Sequence, residues 1–232
     1  MQQSQRKTTT YNPIVFQGIR RLEFIKLYET YFVNKEKVNA RAIYDRILAS
    51  AKQKCPYCGG IGNPRNLDHY LPKAHFPTFS ILPINLVPCC RDCNMDAKAD
   101  AIIHAYEKQL LHPYMDAQHF FYEQWIHINF MSSILDKNTQ FFYEVNPPDY
   151  WSDADKARVL NHFEVCDLAV RFSKDAVDTF INITEQIKEL RVKGANNDMI
   201  VDCILEPYLR NTNRSINHWE KVLVKGLKET FF

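Results

Sequence analysis

The chain has 232 residues, 46% of them hydrophobic and 24% charged, which is enough to bury the core of one domain or two and too apolar for a disordered chain. No apolar run approaches the roughly 20 residues of a membrane-spanning helix, and the amino-terminal MQQSQRKTTTYNP lacks an apolar signal core, so a soluble cytoplasmic protein with no membrane partner is expected. The net charge of +2 hides an asymmetry: residues 1–98 carry 15 Lys and Arg against 7 Asp and Glu, while residues 99–232 carry 14 against 20. A polyanion would prefer the first part.

Residues 1–13, polar and basic, read as a flexible arm, and residues 14–54 as N-terminal helices. In GIRRLEFIKLYETYF (18–32), Phe24, Leu27, Tyr28, Tyr31 and Phe32 share one broad helical face. Asn39 is the expected cap of a second helix through Ala51, with Ile43, Ile47 and Leu48 apolar. That helix leads into the first cysteines and could carry Lys52 and Lys54 toward a phosphate backbone.

Seven cysteines in a cytosolic protein argue for thiolate metal ligation, because disulfides are rarely structural there. Two Cys-x-x-Cys knuckles, Cys55/Cys58 and Cys90/Cys93, offer four thiolates to one structural zinc. Cys89 could replace Cys90, but the two-residue spacer to Cys93 favours Cys90. Cys89, Cys166 and Cys203 are then expected as buried free thiols. Gly59, Gly60 and Gly62 give the first knuckle its permissive backbone.

Between the knuckles lie Asp68-His69 and Asn85, and Asn94 follows Cys93 directly. These are hard oxygen donors beside an imidazole, which suits Mg²⁺ and a water-activating base better than a second zinc. A strand is expected over Leu67–Leu71, which would turn Asp68 and His69 to opposite faces unless bent. A stiff loop with Phe76 and Phe79 follows, then a strand over Ile84–Val87 and a helix from Asn94 to about Leu111.

The Tyr, Phe and Trp-rich stretch Phe120–Tyr143 mixes helix and strand patterns, although QFFYEV (140–145) has strand character. Ser152 caps a helix. Ala169, Phe172, Ala176, Phe180, Ile183, Ile187 and Leu190 step by three or four residues along a long amphipathic helix broken at Gly194. Two further helices, Asp198–Glu206 stopped by Pro207 and Ser215–Phe231, complete a region with no catalytic set.

Three motifs in order, LDHYLPK (67–73), NLVP (85–88) and CRDCN (90–94), within the four-cysteine frame, resemble the HNH endonucleases. The resemblance covers about a fifth of the chain and differs in one detail, the lysine at Lys98 standing four residues after Asn94 rather than three. It implies an α+β, mainly helical chain with a ββα-metal core over residues 55–111 and a helical scaffold or partner-docking region over 112–232.

On this reading Asp68 and Asn94 hold one Mg²⁺ or other divalent cation, and His69, of ordinary pKa about 6.5, is the general base. Asn85 orients the hairpin, and Lys73 and Lys98 contact phosphate. Cleavage of a nucleic-acid phosphodiester, DNA favoured, leaves 5′-phosphate and 3′-hydroxyl ends. A lone histidine is usually an ordinary hydrogen-bonded side chain, and the company of Asp68, Asn85 and Asn94 singles out His69. His75, His104, His112, His119, His127, His162 and His218 lack such company.

The N-terminal helices, LDHYLPK and a helical tail are also similar to HNH effectors of bacterial anti-phage systems of the Septu type, including those carried by retrons. That likeness implies an ABC-type ATPase as partner, since no phosphate-binding loop is present here. Two other readings remain: the same nuclease acting on structured RNA or tRNA, and a zinc-stabilised nucleic-acid-binding adaptor without activity.

Overall fold

The computed structural model describes residues 18–95 and 103–232. Within them the chain is mixed α+β, about half helical, with two small two-stranded antiparallel sheets. It forms two units, Met1–Met115 and Asp116–Phe232. Among the described residues no helix is long and apolar enough to cross a membrane.

In the first unit α1 (Arg21–Lys26) passes directly into a π turn, Leu27–Phe32, closed by a bond from Val33 N–H to Tyr28 O of 3.0 Å. The wider turn changes which side chains share a face. Tyr28 and Phe32 are buried, while Leu27 and Tyr31, expected beside them, are 39% and 49% exposed. Helix α2 (Val38–Ser50) is capped at Lys37 rather than Asn39, because Arg41 N–H already bonds Lys37 O at 2.8 Å. Its buried side chain is Tyr44; Ile43 is exposed.

Strand β1 (Asn66–His69) pairs antiparallel with β2 (Leu86–Cys89), Leu67 opposite Pro88 and His69 opposite Leu86. The second strand begins later than Ile84 because Pro83–Asn85 closes a 3₁₀ turn. Pro88 is tolerated because both strands of a two-stranded sheet are edges. Leu67 turns its backbone outward, its N–H donating to Tyr44 Oη at 3.2 Å and its C=O accepting from the Tyr28 hydroxyl at 3.0 Å. The helices thus complete the edge of β1, where a buried unpaired group would cost about 1–3 kcal/mol. Tyr28, Phe32, Tyr44, Leu67 and Leu86 share one core with Ile47 and Leu48.

Helix α3 (Arg91–Met95) contains Asn94 in its last turn, rather than beginning there. Part of the helix expected up to Leu111 lies outside the described residues. What is described corrects its end: Tyr106–Lys108 is a single 3₁₀ turn, and Leu110, Leu111 and His112 are buried consecutively, which no helix face allows. The carbonyl of Leu110 accepts the Tyr70 hydroxyl at 2.8 Å, so this segment is tied to the hairpin as irregular chain.

The second unit opens with the short α4 (His119–Tyr122), then β3 (Ile126–Phe130) and β4 (Phe141–Val145), paired Ile128 to Tyr143. Helix α5 (Asp153–Val165) is capped by Ser152, whose Oγ accepts Asp155 N–H at 3.1 Å. Helix α6 (Leu168–Val192) buries Phe172, Ala176, Phe180, Ile183 and Ile187 along one stripe, with Ala169 and Leu190 half-buried at its ends. Phe180 meets Phe141 at 5.0 Å and Phe172 meets Tyr143 at 5.5 Å between ring centres, which seats α6 on β4.

Pro207 does not stop the next helix. Helix α7 (Asn197–Ile200), a π turn (Val201–Leu205) and α8 (Glu206–Leu209) run on, with Pro207 in the first turn of α8. Helix α9 (Trp219–Phe231) starts after Ser215, with the His218 ring accepting Glu220 N–H. Cys166 is buried, but Cys203 is exposed, contrary to the expected burial.

Candidate metal centre and hairpin site

Among the described residues, one group could hold a metal ion, a quartet of buried sulfurs. Cys55, Cys58, Cys90 and Cys93 bring their Sγ atoms within 4.8 Å of one another. Zinc bound tetrahedrally to thiolates at about 2.3 Å separates sulfurs by about 3.8 Å, and Cys58 and Cys90 stand 3.9 Å apart. The four cysteines therefore fit a structural zinc ion. Cys89 is buried in β2 and is not in the quartet.

The knuckle backbone explains the fit. Cys55 N–H bonds Gly62 O and Gly60 N–H bonds Cys55 O, both at 2.9 Å, while Gly62 N–H points at Cys58 Sγ at 3.3 Å. Gly59 and Gly60 hold φ of 61° and 94°, which side chains resist. Gly62 has no such backbone and serves through its peptide groups. Hydrogen bonds from Cys55, Cys58 and Cys93 hold the Cys90 thiol well below its ordinary range, and bonds with Cys55 and Cys90 push Cys58 well above it. Four desolvated thiols cannot all ionise alone, whereas a divalent cation would stabilise all four thiolates.

Strand β2 ends just before Cys90, so the quartet sits at the root of the hairpin that carries the other candidate residues. His69 is buried, and its Nε2 stands 2.9 Å from the Ser80 carbonyl. A carbonyl only accepts, so Nε2 bears the proton and Nδ1 is the basic atom of the neutral ring. The Tyr28 ring packs edge-on against the imidazole at 4.4 Å.

Asn85 fastens the loop between the strands. Its Oδ1 accepts Leu71 N–H at 2.8 Å, its Nδ2 donates to Leu71 O at 3.1 Å and Phe79 O at 3.2 Å, and its own C=O accepts Tyr70 N–H at 2.9 Å. His69 and Asn85 thus share one bonded frame, in which Phe76 and Phe79 stack in parallel.

Asp68 and Asn94 are half-buried, on β1 and α3. Burial along β1 alternates, Leu67 and His69 inward and Asn66 and Asp68 less so, which turns Asp68 and His69 to opposite faces of an unbent strand. The charge of Asp68 reaches Tyr57, between the first two cysteines, whose hydroxyl is pushed far above its usual pKa by burial first and by Asp68 next. Lys73 is engaged inside the unit, 2.9 Å from Glu29 and over the Tyr28 ring. Lys98 lies outside the described residues, as does the arm over residues 1–13.

Several contributors escaped the sequence reading. Ser80, whose carbonyl fixes His69, has no sequence signal, because a backbone group acts. Tyr28 reads as part of an apolar helical face and Tyr44 is not among the apolar positions named for its helix, yet their hydroxyls complete β1. His112 is held at both ring nitrogens, Nε2 at 3.0 Å from Ile84 O and Nδ1 accepting Tyr114 N–H at 3.2 Å, so it clamps the loop.

No protein-family model matches the chain, and no solved structure does. Among curated proteins, protein ea31 of Escherichia phage lambda is 35% identical over 231 residues, covering 94% of this chain and 76% of the phage protein. An alignment of that depth runs through both units as well as the cysteine site, and the chain therefore belongs to the family of phage lambda protein ea31.

Proposed function

We propose that the chain is a metal-dependent endonuclease of the HNH type, cutting nucleic-acid phosphodiester bonds with DNA favoured. The observation that carries this is the fixed imidazole of His69, its Nε2–H on the Ser80 carbonyl, in a hairpin rooted on the cysteine quartet and bearing Asp68. Nδ1 of His69 takes the proton of an attacking water. Asp68 and Asn94 would hold Mg²⁺, and two oxygen donors suit an ion that keeps most sites for water and phosphate. Bound Mg²⁺ supplies charge stabilisation for the phosphate and the departing 3′ oxygen. Asn85 positions the His69 loop, and Lys73 reaches phosphate by exchanging an exposed ion pair worth roughly 0–1 kcal/mol.

The second unit, without a catalytic set, is proposed as the surface for an ABC-type ATPase, in an anti-phage assembly of the Septu or retron kind. The support is the likeness of LDHYLPK and its flanking helices to such effectors. A second reading draws on the opposite facing of Asp68 and His69: a zinc-stabilised nucleic-acid-binding adaptor, binding without Mg²⁺ and cutting nothing.

Nicking of supercoiled plasmid and of a labelled tRNA pool, with Mg²⁺ or EDTA, separates these readings. Wild type should nick plasmid with Mg²⁺ alone, and His69→Ala should lose about 10²–10⁴-fold of that rate while keeping its zinc. Cleavage of tRNA instead moves the substrate to RNA. Binding without cleavage, persisting when the ATPase is supplied, leaves the adaptor.

A further inference from the structure

Lys54 immediately precedes the ligand Cys55, and its stem lies across the knuckle turn, where a Cβ on Gly60 would come within 3.3 Å of Lys54 Cβ. Before it, Lys52 and Gln53 hold left-handed backbone, φ 48° and 62°, a conformation that residues with side chains resist. Arg65 is tied to the same site through the backbone. Cys55 N–H bonds Gly62 O three residues before Arg65, and Arg65 N–H bonds Cys89 O at 3.0 Å, next to Cys90.

Lys54 and Arg65 are therefore each tied through the backbone to the cysteine knuckle, with Lys52 two residues before Lys54. All three are exposed, and among the described residues none has an acidic partner, whereas Arg41 and Lys73 in the same unit do. They belong to the stretch of the chain that carries the positive excess. Arg65 adjoins β1, three residues before Asp68. At ~3.3 Å per strand residue that is about 10 Å, or roughly three nucleotide rises of ~3.4 Å.

We infer that Lys52, Lys54 and Arg65 form a basic rim on the cysteine knuckle that grips the phosphate backbone of duplex DNA beside the strand bearing Asp68 and His69. The inference takes its ligand from the nuclease reading and adds the face that holds it. A tetra-thiolate zinc site is itself anionic, and cations that merely balanced it would affect zinc retention and not DNA.

The test is binding of labelled duplex DNA across a KCl series by the 232-residue His69→Ala protein, with and without Lys52→Ala/Lys54→Ala/Arg65→Ala. Zinc content is measured on each. The slope of log affinity against log salt should shallow by roughly 2–3 at ~0.9 per lost phosphate contact, with zinc retained, while Lys26→Ala/Lys35→Ala leaves it unchanged. If the triple variant loses zinc, Lys52→Gln and Arg65→Gln should each shallow the slope by about 1.

An unchanged slope with zinc retained overturns the rim, as does the absence of salt-dependent binding in the parent. Tighter binding of duplex RNA through the same three residues overturns the DNA assignment. The nuclease reading fails separately: a rim that carries the slope in a protein that never cuts leaves the rim standing. A protein that cuts with the triple substitution in place, at an unchanged slope, leaves only the nuclease.

Discussion

Asn85 shows how much one side chain can hold. Its amide satisfies three backbone groups on two segments of the hairpin loop, Leu71 N–H, Leu71 O and Phe79 O. Truncation would leave several of them unpaired in a buried place, at about 1–3 kcal/mol each. Asn85→Ala should therefore lower stability by about 2–4 kcal/mol in urea unfolding and loosen the loop that carries Ser80. Asn85→Asp should be no rescue, since it keeps the acceptor for Leu71 N–H but sets a carboxylate against two carbonyls. A loss under about 0.5 kcal/mol, the size of an unremarkable surface change, would show that water replaces the amide and that Asn85 does not position His69.

Helix α9 approaches β3 closely at Gly226. A Cβ on Gly226 would fall 2.2 Å from Ile128 Cγ2, a methyl held by a β-branched side chain that is stiff at χ1. Alanine would favour the helix by about 1 kcal/mol over glycine, but overpacking costs typically about 1–3 kcal/mol. Gly226→Ala should thus be destabilising by about 1 kcal/mol or more, against propensity. The double variant with Ile128→Ala should be less destabilised than the two singles summed, which thermal melts of all four proteins would measure. Simple additivity would mean that the helix shifts as a body instead.

For the whole molecule, the cysteine quartet lies entirely in the first unit, while the packed helices α5, α6 and α9 lie in the second. Zinc binding contributes folding free energy, about 10–16 kcal/mol of apparent affinity in small zinc domains. Cys55→Ala, or chelation, should collapse the hairpin and α2 while leaving most helical circular dichroism, so unfolding should split into two transitions. His69→Ala should keep the wild-type profile. One cooperative transition in every sample would mean that the quartet does not govern the first unit separately. Acid should release the ion, because bound sulfurs must be thiolates and protonation competes for them.

The sequence by itself determined what depends on short-range pattern. Two Cys-x-x-Cys spacings named the quartet, the three-and-four stepping of α6 named its buried stripe, and Ser152 named its helix start, because each signal is complete within a few residues. Tertiary structure alone decided what depends on partners far along the chain. The carbonyl of Ser80 reaches His69 from 11 residues away, Tyr28 and Tyr44 complete β1 across 39 and 23 residues, and Leu110 leaves helix for the hairpin because Tyr70, 40 residues earlier, takes its carbonyl. Local propensity names an element, but a buried backbone group takes whichever partner the fold brings to it, and that partner has no spacing to read.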